Sequence, residues 1–231
     1  MPLIGPGDAE AIALSLRVAA TATAAGLPVA VILAHLLARG HFVGRRALDA
    51  VINLPLVLPP VATGFALLVL FGRNGPIGAV LARFGVFLAF HWTGAALAGA
   101  VMALPLMVRP IRQAIEAIDP DLDEAARSLG AGAADRLFRI TIPLAAPGLA
   151  VGILLGFARA LGEFGATITF AAAIPGQTLT LPADIYQAAQ TPGEETHTLL
   201  LCAIAAAIAL GAAFASEALA GRFTVRGRVG L

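Results

Sequence analysis

The sequence contains no lysine; all fifteen of its basic residues are arginines. A phosphate-binding P-loop needs a lysine to reach the β- and γ-phosphates, so the chain is not expected to hydrolyse ATP by that route. Schiff-base chemistry is excluded on the same ground. The one cysteine, Cys202, lies in an apolar run and excludes an internal disulfide. Charge is scarce: 13% of the 231 residues are charged, about half the share in a soluble domain. The formal net charge of +1 gives no basis for a nucleic-acid partner. The serines are Ser15, Ser128 and Ser216, none in a nucleophile-elbow context. His35, His41, His91 and His197 share no metal-ligand spacing. Neither a catalytic constellation nor a metal site is expected.

What is present is apolar. Hydrophobic residues make up 59% of the chain and the mean hydropathy is +0.89, so its solvent is mostly lipid. The fold class is an all-α integral membrane protein with about five transmembrane helices. Residues 1–10 read as an external N-terminal segment. It has no positive charge before Arg17, so no cleavable signal peptide is expected. Spans are expected at about 11–37, 50–71, 93–115, 147–173 and 196–219, with residues 220–231 as a tail too short for a regulatory domain. Gly26 and Pro28 interrupt the first span, and Pro55, Pro59 and Pro60 force a bend or partial unwinding of the second. Pro60 and Gly64 equally suit close helix packing. Short helices are expected at 77–84 and 182–190.

Arginine placement sets the orientation. Eleven arginines (39, 45, 46, 109, 112, 127, 136, 139, 222, 226 and 228) fall on the side of the first loop, and two, Arg73 and Arg83, on the other. That side is therefore expected to be cytoplasmic, with the N-terminus outside and the C-terminus inside.

The longest polar interruption, 119–146, lies on the cytoplasmic side. Asp119 is a good N-cap and Pro120 a good first helical residue, and Asp121, Asp123 and Glu124 suit the positive end of a helix dipole. Gly130 provides the left-handed stop. A helix this short is unstable alone in water and must pack on something, either its own bundle or a groove of a partner.

Glu124-Ala125-Ala126, then Gly130 after three residues, then Ile140, Ile142 and Pro143 after nine more, resemble the cytoplasmic EAA loop of ATP-binding-cassette (ABC) importer permeases of type I. The departure is Ile142, where that pattern has leucine. Within the family, LPLVLPPVATG, ALPLMVRPIR, ITIPLAAPG, ARALGEFGATITF, IPGQTLTLP and QTPGEE are similar to molybdate permease subunits over nearly the whole chain. Sulfate and thiosulfate permeases share part of this vocabulary, and tungstate is too like molybdate to separate by sequence. The resemblance implies a bacterial inner-membrane permease that pairs with a second copy of itself. It also implies two cytoplasmic ATPase subunits that use ATP–Mg and receive the Glu124–Gly130 helix, and an extracytoplasmic molybdate-binding protein. No cofactor is expected in this chain.

In ARALGEFGATITF, Arg159 and Glu163 are four apart on one expected helix, deep in the membrane, where ionisable groups usually face the bundle interior. They form either a packing ion pair or part of an anion path or gate, with Thr167 and Thr169 as hydroxyl donors. Pairing is favoured for Glu163, because a free carboxylate would repel an anion. Gly162 and Gly165 suit close helix approach. A stand-alone secondary transporter would need its own ion-coupling groups, for which only Arg17, Arg159 and Glu163 are available; no internal repeat supports it.

Overall fold

The computed structural model describes residues 5–226, and among them the chain is helical with no strand. Helix α1 (Pro6–Arg39) runs for 34 residues without a break, about 51 Å at the usual rise and longer than a hydrocarbon core of about 30 Å. Gly26 and Pro28, expected to interrupt it, lie inside the continuous helix. Its length is packed against α5 (Trp92–Glu116), which holds the helix together where Pro28 removes a ladder bond.

The expected second span, 50–71, is two helices. Helix α2 (Arg45–Val57) and α3 (Pro60–Phe71) meet at 114°. Leu58 and Pro59 each precede a proline, a position that disfavours the helical region. Both are extended instead, with ψ of 144° and 135°. After a turn and the short α4 (Gly78–Ala82), α5 forms the centre of the molecule. It packs on α1 on one side and on α9 (Ala146–Leu161) on the other. Met107, Ile111 and Ile115 of α5 and Leu37 of α1 are fully buried in the main core.

The polar interruption folds as α6 (Pro120–Ser128) and α7 (Ala133–Arg136), a π-turn at Leu137–Thr141, and α8 (Ile142–Leu144). Pro143 lacks the N–H that an α-helical ladder would need, and the wider turn lies directly before it. A 75° bend then leads into α9.

The expected fourth span, 147–173, also divides. Helix α9 stops at Leu161 and α10 (Gly165–Phe170) follows a break at 162–164. Helix α11 (Leu181–Ala189) then returns to α1 and α12 (Glu195–Arg226). The backbone N–H of Leu181 donates to Ser15 Oγ at 2.6 Å, and His197 Nε2 lies 3.1 Å from Asp8 Oδ2. Among the described residues, three helices are long and apolar enough to cross a membrane alone, and up to five spans result if each bent pair counts as one. The ends of the expected segments 1–10 and 220–231 lie outside the described residues.

Helix α9 approaches α5 through one face of glycines. A Cβ on Gly148 would lie 2.6 Å from the Pro110 carbonyl oxygen, and one on Gly152 would lie 3.0 Å from that of Met107. Gly156 completes the row against the Met107 side chain. In lipid, where burial of apolar surface does not drive association, such contact supplies the packing. Helix α3 is equally close to α10: a Cβ on Gly64 would stand 2.5 Å from the Ala166 carbonyl oxygen. A Cβ on Gly165 would stand 2.8 Å from the Pro60 Cβ. Gly162 makes no such approach, since its nearest neighbour is the Ala158 carbonyl oxygen at 3.6 Å.

Candidate coupling surface and transmembrane ion pair

Helix α6 carries Glu124, Ala125 and Ala126. Asp119 caps it by accepting the Asp121 N–H at 3.0 Å. Past its C-terminus Gly130 takes φ +85°, a left-handed conformation that a β-carbon disfavours. No residue of α6 is buried. Leu122 is 49% exposed and Leu129, just beyond the helix, 89%. A nine-residue helix with an uncovered apolar side does not rest on its own bundle.

Two arginines hold it in place. Arg39, at the end of α1, donates from Nη2 to the carbonyls of Ile115 (3.1 Å) and Ile118 (2.7 Å), satisfying the open end of α5 where the chain departs for α6. Arg136 Nη1 donates to Asp123 Oδ2 at 2.9 Å, tying α7 to α6. Arg39, Pro120, Asp123, Glu124, Arg127 and Ser128 surround an open polar depression of about 670 Å³. Further along the motif, Ile142 packs against the main core, Ile140 is half-buried and Pro143 exposed. The loop is thus anchored at its return end and presented at its start.

Sequence reasoning used these arginines only as markers of orientation. Nothing local links Arg39 to residues 76 and 79 positions later. The same holds where Arg109 donates to Asn53 Oδ1 (2.8 Å) and Arg112 lies 3.5 Å from Asp49, strapping α2 to α5. Arg39→Ala is expected to loosen α6 while leaving the membrane bundle folded. Protease accessibility at Arg127 measures it, and unchanged cleavage would remove the latch.

At the far end of α9, Arg159 and Glu163 meet. Arg159 Nη1 lies 2.5 Å from Glu163 Oε2, and Glu163 Oε1 accepts the Ala166 N–H at 2.7 Å. Arg159 and Glu163 were expected on one helix; instead Glu163 lies in the break between α9 and α10. The carboxylate therefore does two things: it pairs with an arginine in the last turn of α9 and satisfies an open N–H in the first turn of α10. Glu163 is 3% exposed, whereas the Arg159 side chain is a quarter exposed. The guanidinium can pair with the carboxylate and keep further N–H donors available. Thr167 is buried in α10, and the Thr169 hydroxyl donates to the Gly165 carbonyl at 2.9 Å, so its proton is committed. The ring of Phe164, within the break, stacks on Tyr186 of α11 with centroids 4.8 Å apart.

Asp184 of α11 has one carboxylate oxygen buried without a partner. Burial first, and the nearby Asp8 second, hold its pKa above the usual carboxylate range, against an opposing effect of His197. Its protonated form is thus favoured by folding, and charging it destabilises the fold as pH rises past the unfolded carboxyl's pKa. Asp184→Asn is expected to stabilise the protein at pH 7, with the gain disappearing near pH 4. Melting curves across that range measure it. No three or more His, Cys, Asp or Glu among the described residues converge on a metal-sized site.

An all-helical membrane bundle with a presented loop helix is the fold of type I ABC importer permeases. The chain superposes on a crystal structure of a bacterial ABC transporter involved in the import of alginate with a TM-score of 0.75 at 18% identity, covering 95% of this chain and 80% of that one. On an amino acid ABC transporter with histidines the TM-score is 0.63 at 22% identity, covering 94% of each chain. Residues 26–223 match the family of binding-protein-dependent transport system inner membrane components, and the chain belongs to that family. It is 51% identical over 212 residues to the molybdenum transport system permease protein ModB of Escherichia coli, covering 91% of this chain and 93% of that protein. To the Haemophilus influenzae protein of the same name it is 50% identical, covering 93% and 94%. The sulfate transport system permease protein CysW of Synechococcus elongatus is 35% identical, covering 83% of this chain and 68% of its own length.

Proposed function

We propose that this chain is the membrane-spanning subunit of an ATP-driven importer that carries molybdate into the cytoplasm. The observation that carries this reading is the end-to-end similarity, at about half of all positions, to permeases named for molybdenum transport. The sulfate permease is more distant and matches over less of its length.

The mechanism follows from α6. Its exposed apolar side and its first-turn carboxylates suit a cleft on a cytoplasmic ATPase. Two copies of the chain would enclose the path at their interface, each seating one α6 in one ATPase, while an extracytoplasmic molybdate-binding protein delivers the anion to the opposite face. ATP–Mg bound by the ATPases draws the two α6 helices together and turns the permease outward, and hydrolysis restores the inward state. The chain performs no covalent chemistry itself; its lack of lysine supports that assignment of labour. The arginine bias supports a cytoplasmic α6, with the N-terminus outside.

Arg159 is the residue proposed to meet the anion, since its guanidinium retains donors while Glu163 neutralises its resting charge. Arg159→Lys keeps the charge but loses the planar set of donors. It is expected to leave the complex assembled and lower uptake about tenfold or more. Unchanged uptake would sink the path role. Gly130→Pro cannot adopt φ +85° and is expected to uncouple ATPase activity from transport. Normal coupling in that variant would be fatal to the docking role. The deciding measurement for the function is ATP-dependent uptake in vesicles holding the whole complex, with molybdate, tungstate and sulfate in competition. Uptake of sulfate in preference to molybdate would overturn the anion assignment.

A further inference from the structure

Near its N-terminal end, α1 borders a groove of about 500 Å³ whose other wall is the loop through Pro175, Gly176 and Leu179. Two charged side chains line it, Glu10 and Arg17. The Arg17 guanidinium lies over the Trp92 ring, 3.8 Å from its centroid. Among the described residues no carboxylate lies within ion-pair distance of Arg17. Stacking fixes the plane of the guanidinium and leaves its N–H edge free for an anion. Glu10 folds toward the opposite wall; a Cβ on Gly176 would lie 3.8 Å from its Oε2.

The order of groups along the helix is informative. Glu10, Ala13, Arg17, Ala20 and Ala24 recur on one exposed side of α1. Moving toward the helix end, an apolar strip is followed by a cation and then, about 10 Å further, by a carboxylate. A phospholipid whose headgroup ends in an amine has the complementary order: acyl chain, phosphate, ammonium. That match depends only on α1 crossing a membrane, not on the transported anion or on which leaflet its N-terminal end occupies. Trp92 marks the depth, because tryptophan prefers the boundary between hydrocarbon and headgroups. A free oxyanion fits less well, since Glu10 would repel it from the rim of the same groove.

We propose that this groove binds an aminophospholipid, with the phosphate on Arg17, the ammonium on Glu10 and an acyl chain along Ala20 and Ala24. The test uses the intact transporter complex, delipidated in detergent and offered phosphatidylethanolamine or phosphatidylglycerol, with retained lipid counted by native mass spectrometry. The unmodified complex is expected to keep phosphatidylethanolamine in preference to phosphatidylglycerol by about fivefold, the worth of one exposed charge pair. Glu10→Gln is expected to abolish the preference, and Arg17→Gln to reduce retention of both lipids. Glu10 is exposed and unpaired, so its variant decides the question even if Arg17→Gln fails to assemble. No preference in the unmodified complex, a preference that survives Glu10→Gln, or displacement of both lipids by millimolar molybdate would overturn the assignment. So would cross-linking of a cysteine at Ala13 to a second copy of the chain, because a protein would then fill the groove.

Discussion

Replacing Glu163 with alanine is expected to destabilise the protein by about 3–5 kcal/mol, the usual result of removing one partner of a buried ion pair. Two groups lose their partner at once: the Arg159 guanidinium and the Ala166 N–H. Glutamine at this position keeps an acceptor for the N–H but gives up the charge, so its effect is expected to be intermediate. The double variant Arg159→Leu with Glu163→Leu separates structure from transport. Removing both charges is often neutral for stability, so the melting temperature in detergent is expected to recover most of the single-variant loss. Uptake is expected to stay low, because the arginine proposed to meet the anion is gone. Full recovery of uptake along with stability would make the pair a packing device only.

The second large effect is at the contact of α9 with α5. Gly148→Ala places a methyl group 2.6 Å from the Pro110 carbonyl oxygen and against the Ala114 side chain, and neither can move without shifting a helix. A loss of about 1–3 kcal/mol is expected, as for an overpacked core. Gly156→Ala meets the buried Met107 side chain instead, at 2.6 Å from its Cγ, with no backbone atom in the way, so its cost is expected to be smaller than at Gly148. Gly211→Ala, with nothing within 4 Å, is the control and is expected to be neutral or slightly stabilising. Melting temperatures of the three variants measure the ranking. Equal values at Gly148 and Gly211 would mean that the helices are not in contact there.

The contrast between these sites explains what could be read from sequence. Helix α6 was legible because its determinants are local: Asp119 caps its own helix, Gly130 ends it, and both lie within a dozen residues. The need for a break in 50–71 was legible in Pro55, Pro59 and Pro60, but not the separation of the span into helices at 114°, which depends on where α3 finds α10. The break after Leu161 carries weaker punctuation. Gly162 and Gly165 both read as packing residues, yet only Gly165 makes a close approach; within α9 the glycines that pack are Gly148, Gly152 and Gly156, four apart in each case and recognisable by that spacing. Arg39 could not have been assigned its role at all, since its acceptors are carbonyls that any sequence would supply.

Helix α1 joins several of these features. One end is fixed by Ser15 to α11 and by Asp8 to α12, and the other by Arg39 to the end of α5. Pro28 does not break it. A rod of about 51 Å held in this way acts as a lever: tilting it by about 10° displaces one end by roughly 9 Å relative to the other. A small movement imposed near α6 would therefore arrive, enlarged, beside α11 on the opposite face. Spin labels at Ala9 and Leu36 would keep a constant separation through the transport cycle if the rod stays rigid, while their distances to α12 would change; a varying separation between the two labels would rule the lever out.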